Sequence, residues 1–297
     1  MALKKTNLLT EEKRDAYWLI TPLMILSFVF ILFPAISNFY YSFTDWKGFG
    51  LVNWIGFDNF SAMFQDERFW QSIKNTFFLL LFIPGGVFIP LCLAALLRGG
   101  LEGWKFFRAI IYLPNVLGYV ILGMVFNLFL RSDGPLNSLL RMAGLNSWAL
   151  DWMNRPWLAI FSLGFIYCIL MRIGFGTIYF LAAMGGIDEQ LYEAARIDGA
   201  GWWTTFLKIT LPSIRFNIEF LVVMSVIESV ARAFSFIYTF SHGGPGYSTY
   251  TLEYGLYNLG FVSGKMGYAS AWAVVLFLIC AMIAVMQIRL MRRPENE

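Results

Sequence analysis

Three ionisable side chains, Arg172, Glu228 and Arg232, lie inside long apolar runs of this chain. An arginine at the centre of a bilayer costs roughly 3 kcal/mol on insertion scales, so such groups normally face a partner or a polar cavity. Glu228 and Arg232 are spaced i, i+4 and can pair on one helix face. One reading is a structural ion pair, with Arg172 neutralised by Glu219 or by a partner chain. The other is a polar pathway through the membrane. Other chemistry finds no constellation. The single histidine, His242, lies in a glycine-rich turn with neither a metal cluster nor a nucleophile to serve, and reads as a turn residue. The three cysteines, Cys92, Cys168 and Cys280, all fall in apolar runs; an odd, scattered set reads as packing and not as a disulfide framework. Gly260 to Lys265 has a passing likeness to a phosphate-binding loop. It has one residue too few between its glycines, and Met266 stands where serine or threonine is required.

The elements that must position these groups follow from composition. Of 297 residues, 58% are hydrophobic and only 14% charged, with a mean hydropathy of +0.62. Soluble domains carry about 25% charged residues, so lipid is the solvent here. Six apolar segments are long enough to cross it: about 17–43, 75–97, 109–130, 156–187, 216–240 and 268–288. The first is too long for a cleaved signal and lacks a small-residue cleavage site, so it reads as a retained helix. Pro84, Gly85, Gly86 and Pro90 interrupt the second, which is tolerated where neighbouring helices satisfy the freed backbone. No matching break is evident in the other half, and no internal repeat.

Orientation follows the lysines and arginines. With the N-terminus inside, the inner segments hold Lys4, Lys5, Lys13, Arg14, Arg98, Lys105, Arg108, Arg196, Lys208, Arg215, Arg289, Arg292 and Arg293. The outer loops hold only Lys47, Arg68, Lys74, Arg131, Arg141, Arg155 and Lys265. Both termini are then cytoplasmic. The outer loops are also rich in tryptophan (Trp46, Trp54, Trp70, Trp148, Trp152, Trp157), as expected beside a membrane interface. No basic tract suits nucleic acid.

The longest inner connection, 185–215, is patterned. Asp188 is a natural N-cap with Glu189 beside it, and Leu191, Ala194, Ala195 and Asp198 share one helical face. Gly199 ends that helix, and a second short helix from Trp202 to Thr210 is stopped by Pro212. Two short helices on a tight glycine turn make a rigid knob that suits a socket on another protein. An amphipathic loop lying on the membrane surface would have a similar composition.

The residues of this loop decide between these readings. Glu193-Ala194-Ala195, Asp198-Gly199-Ala200, Phe206, Ile209 and Leu211-Pro212 resemble the EAA loop of binding-protein-dependent ABC importer permeases. Further segments resemble the carbohydrate-uptake branch of that family. They are Tyr41 to Trp46 with Gly56 to Phe60, Leu113-Pro114, Gly134 to Leu140, and Thr239 to Pro245 with Ser248-Thr249. Phe216 departs from the pattern, standing where many relatives have a second proline.

The resemblance implies an all-α integral membrane protein of six transmembrane helices, a single importer domain spanning 1–297, with a cytoplasmic EAA coupling loop between helices four and five. It implies a permease of the maltose or glycerol-phosphate type in a bacterial or archaeal cytoplasmic membrane, importing a carbohydrate, with an oligosaccharide as the expected substrate. An acidic sugar or polyol phosphate is the alternative within the family. A secondary transporter or channel would need a coupling-ion site, and a membrane enzyme a catalytic constellation. Implied partners are a second permease subunit, two cytoplasmic ATPase subunits that use ATP and Mg, and an extracytoplasmic solute-binding protein; this chain itself binds no cofactor. Glu193, Ala194, Ala195, Asp198, Gly199, Ala200, Phe206, Ile209, Leu211 and Pro212 would couple to the ATPase. By their distance from the loop, Cys168, Arg172, Phe175, Glu228, Ser229 and Arg232 would line the solute pathway.

Overall fold

The computed structural model describes residues 17–98 and 103–291. Lys4, Lys5, Lys13, Arg14, Arg292 and Arg293, which carry part of the orientation argument, lie outside the described residues. The described chain is helical. Helices α1 (Tyr17–Tyr41), α5 (Trp104–Phe129), α7 (Pro156–Gly185) and α13 (Met266–Met291) each contain a candidate span. Another span is formed by α3 (Glu67–Leu80) and α4 (Ile83–Arg98). These make five helices long and apolar enough to cross a membrane, and α10 (Arg215–Ala231) with α11 (Phe234–Phe240), bent by 53°, supplies a sixth when counted as one.

The observed bounds depart from expectation in instructive places. Span two runs Glu67–Arg98 instead of 75–97, because Asp66 accepts the Arg68 N–H at 2.9 Å and starts the helix well before the apolar run. Span three breaks inside: Gly118 has φ 73° and ψ 152°, four residues after Pro114, whose missing N–H already weakens the ladder. Span five is broken at Arg232, whose φ is −139°. The interruption expected in span two alone is thus shared by spans three and five.

The described residues form two compact units, one of those up to Met63 with Leu259–Val275, the other of those from Phe64 to Asn258 with those from Leu276 onward. In the first, α1 buries none of its most apolar stretch, and the segment after it folds back on itself. Asn59, on the short α2 (Asp58–Gln65), donates to the carbonyls of Ser42 and Thr44 at 2.9 and 2.8 Å. Trp54 stacks on Phe43, with centroids 5.3 Å apart. The Gly267 N–H reaches the Trp46 carbonyl at 2.7 Å. The residues that carried the resemblance here hold a turn together.

In the second unit α4 lies against α7 through small residues, which let membrane helices approach closely. A Cβ on Gly86 would collide with the Cys168 carbonyl oxygen, and one on Gly176 would meet Pro90 at 2.8 Å. Ile83, Val87, Leu91, Ala94, Phe180, Met184, Phe206, Ile214 and Leu221 form a continuous buried cluster, so the loop between spans four and five shares its core with spans two, four and five. Outside the spans, Asn137 near the start of α6 (Pro135–Met142) donates to the Leu150 carbonyl at 2.8 Å and accepts from the Trp152 indole at 3.0 Å. His242, φ 49°, occupies a turn clamped by Thr249, which bonds the Gly244 carbonyl at 2.8 Å.

Candidate functional site

The loop contains two short helices, α8 (Glu189–Ile197) and α9 (202–213). Asp188 caps α8 by accepting the Gln190 N–H at 3.0 Å. Gly199, φ 71°, closes it. The N–H of Ala200 bonds the Ala195 carbonyl at 2.9 Å, and that of Gly199 bonds the Arg196 carbonyl at 3.1 Å. This pair is the Schellman pattern, with glycine at its left-handed position. In α9 the turn 206–210 is of the wide π type, and the helix continues through Pro212 to Ser213. Pro212 therefore does not stop it; it starts the last short segment, where a ring is tolerated, and the chain breaks at Ile214 (φ −106°, ψ 16°).

The loop residues named from sequence divide by burial. Ala195 and Phe206 are buried and Ala200, Ile209 and Leu211 half-buried, anchoring the knob to its own chain, whereas Glu193, Ala194, Asp198, Gly199 and Pro212 are exposed. The face expected to pack, Leu191, Ala194, Ala195 and Asp198, does so only through Ala195. The seated side is Tyr192 with Ala195, one turn apart, leaving Leu191 half open and Ile197 87% exposed.

The membrane-embedded charges converge, though not as the spacing suggested. Arg172 pairs with Glu228 at 3.2 Å across helices α7 and α10, while Glu219 pairs with Arg215 at 2.8 Å. Glu228 and Arg232 form no ion pair among the described residues: the Arg232 N–H still bonds the Glu228 carbonyl at 3.0 Å at the end of α10, but the Glu228 carboxylate is taken by Arg172. Arg172 also donates to the Ser225 carbonyl at 3.0 Å and the Ser229 hydroxyl at 3.2 Å. Cys168 lies in a wide π turn, 165–170, with its sulfur 3.6 Å from the same Ser229 hydroxyl. A cavity of about 320 Å³ adjoins this cluster. Arg172, Phe175 and Glu228 line it; Cys168 and Ser229 support Arg172 from outside the lining, and Arg232 is not part of it.

The lining also holds Asn115 and Tyr119, either side of the Gly118 break, together with Phe220, Met224 and Ser225. These were not singled out in the sequence, although Asn115 follows Leu113-Pro114 and is a polar residue in an apolar run. Two buried polar atoms of lining residues, Arg172 Nε and Ser225 Oγ, have no hydrogen-bond partner among the described residues. Such atoms are costly to leave unmet, and a polar solute can satisfy them.

At the break in span five, Glu253, on α12 (Leu252–Tyr257), accepts the Phe234 N–H at 2.8 Å. Burial pushes its carboxyl up, against the lowering effect of the backbone donors of Phe234 and Ala233. No group of three His, Cys, Asp or Glu side chains suited to a metal ion occurs among the described residues.

A membrane protein of broken helices, with an ion-paired polar cavity and a knob of two short helices between spans four and five, has the build of a solute permease. More narrowly, residues 86–294 match the family described as binding-protein-dependent transport system inner membrane component, and the chain belongs to it. It is 32% identical to the diacetylchitobiose uptake system permease protein NgcF of Streptomyces coelicolor, over 87% of this chain and 76% of that one. It is likewise 32% identical to the multiple sugar-binding transport system permease protein MsmF of Streptococcus mutans, over 95% of this chain and 97% of that one. Among solved structures it is similar to a chain of a bacterial ABC transporter involved in the import of the acidic polysaccharide alginate. That match has a TM-score of 0.83 and 28% identity, and covers 98% of this chain and 100% of the other.

Proposed function

We propose that this chain is one half of the pore of an ATP-driven importer for a carbohydrate. A second permease subunit supplies the other half, two cytoplasmic ATPase subunits hydrolyse the ATP, and an extracytoplasmic binding protein delivers the solute. The observation that carries the choice of solute is the cavity's mixed lining. Tyr119, Phe175 and Phe220 offer ring faces on which a pyranose can stack, beside hydrogen-bonding Asn115, Arg172 and Glu228. The names of the sugar permeases it resembles agree with that chemistry. In this reading Glu193, Ala194, Asp198, Gly199 and Pro212 present the exposed side of the knob to the ATPase, and the buried Ala195 and Phe206 carry its movement into the spans.

An acidic solute is the second reading, favoured by the similarity to a chain of the alginate importer. Two central arginines, Arg172 and Arg232, against one central glutamate, Glu228, would suit such a solute, but Arg172 is already paired with Glu228. Of these two arginines, Arg232 is the one that makes no ion pair among the described residues. The test is uptake by the reconstituted complex carrying Arg172→Gln or Arg232→Gln. Arg172→Gln is expected to reduce transport of any cognate sugar while the complex still assembles, because it unmakes the cavity wall. A comparable loss in Arg232→Gln marks the solute as acidic. Wild-type transport by both variants removes the cavity from the pathway.

The same reading places both termini in the cytoplasm. In a background without the native cysteines, single cysteines at positions 50, 145 and 250 should react with an impermeant thiol reagent added to intact cells. Cysteines at 10, 102 and 200 should be protected until the membrane is opened. Labelling of position 200 from outside would overturn the orientation and the role of the loop.

A further inference from the structure

Arg98 is the last residue of α4 and was read in the sequence only as one inner positive charge. In the structure it does more. Its Nη2 donates to Glu189 at 3.1 Å, and its guanidinium carbon lies 3.8 Å above the centroid of the Tyr192 ring. Both partners are on α8, one turn apart, so a single side chain holds the first turn of that helix by two unlike contacts. Arginine suits the task because a flat guanidinium can lie on a ring and present a fork to a carboxylate at once, which an ammonium cannot. The grip extends further: the Tyr192 hydroxyl meets that of Thr210 at 3.0 Å, tying α8 to α9.

The opposite end of the same helix reaches the cavity. α4 has 16 residues, a length of about 24 Å as a helix. Near its start, a Cβ on Gly86 would strike the Cys168 carbonyl oxygen and lie 3.2 Å from the Arg172 Cδ. Between the ends, Val87, Leu91 and Ala94 are packed in the shared core with Phe180 and Met184. α4 is therefore a supported rod, held to the loop at one end and lining the cavity beside Arg172 at the other.

We infer that Arg98 is a positioning residue for energy coupling: it clasps α8 to span two, so that displacement of the loop is carried along α4 to Gly86 and Arg172. The inference rests on the reading that the loop receives the ATPase. In the absence of the clasp the loop can still meet its partner through its exposed face, because Arg98 lies on the seated side of α8. What is lost is the conversion of that encounter into movement at the cavity.

The experiment uses the full importer complex in proteoliposomes, with co-purification of the ATPase subunit, basal ATP hydrolysis, and solute moved per ATP hydrolysed as separate readouts. Arg98→Gln should keep co-purification and basal hydrolysis but lower the transport-to-hydrolysis ratio roughly tenfold. Arg98→Lys, which keeps the charge but not the fork, should recover part of it. Tyr192→Phe keeps the ring under the guanidinium and loses only the bond to Thr210, so it should lower the ratio much less than Tyr192→Leu, which should resemble Arg98→Gln. The tyrosine pair keeps the idea testable if Arg98 variants fail to fold. Wild-type ratios in both Arg98→Gln and Tyr192→Leu, with Gly199→Val uncoupled alongside, would overturn the clasp and leave the loop's role standing. Loss of co-purification in Arg98→Gln would also overturn it, making the residue an assembly contact. If Gly199→Val is fully coupled as well, the reading of the loop fails and the clasp with it.

Discussion

Gly86→Ala should cost this protein most of its transport, while Gly85→Ala, one residue away, should be close to neutral. The added methyl at Gly86 runs into the backbone carbonyl of Cys168, and carbonyl oxygens in a helix cannot turn aside. Helix α4 must move off α7, which takes Arg172 with it and disturbs its pairing with Glu228. Overpacking of this kind costs about 1–3 kcal/mol. Here the displaced group is a cavity wall, so the functional loss should be larger than the stability loss, at least roughly tenfold in uptake. A methyl at Gly85 meets only the tip of Ile169, 2.9 Å from its Cδ1, which can rotate away. The measurement is initial uptake rate together with the melting temperature of the detergent-purified chain. Equal behaviour of the two alanine variants would mean that the contact between spans two and four does not shape the cavity.

The second large effect should come from Gly199. At φ 71° any residue with a Cβ pays roughly 1–2 kcal/mol, and a β-branched one the most. Gly199→Val should insert into the membrane normally, because no span depends on it, yet fail to co-purify with the proposed ATPase partner or fail to show solute-stimulated hydrolysis. Gly199→Pro should do the same. Gly199→Asn should be milder, since asparagine tolerates the left-handed conformation. A graded series in that order ties the defect to the backbone of the turn. Wild-type coupling in Gly199→Val and Gly199→Pro would remove the case for the loop.

Much of this architecture was legible in the sequence because lipid imposes so few solutions on a chain. Apolar length gave the spans, and the N-cap of α8 and the glycine after it are local signals that need no tertiary information. The break at Gly118 was not legible, because glycine is common in membrane helices and a left-handed one looks like any other. The pairing of Arg172 with Glu228 was missed for a different reason. Sequence spacing reports neighbours along one helix, as it did for Glu228 and Arg232, but residues 56 apart meet only through the register of two packed helices. Arg98 and Glu189 are separated by 91 positions and are invisible as a pair on the same grounds. Asn115 was the recoverable omission: an amide within an apolar run, beside a proline already noticed, is a reason to expect a polar cavity.

The carboxylate at the break in span five also bears on what holds the bend. The N–H of Phe234 finds its acceptor in Glu253, 19 residues further on. Until that acceptor is in place the amide is unmet, which is unfavourable within or near hydrocarbon. The bend between α10 and α11 therefore depends on a side chain from beyond span five, and its geometry is complete only when α12 is packed against it.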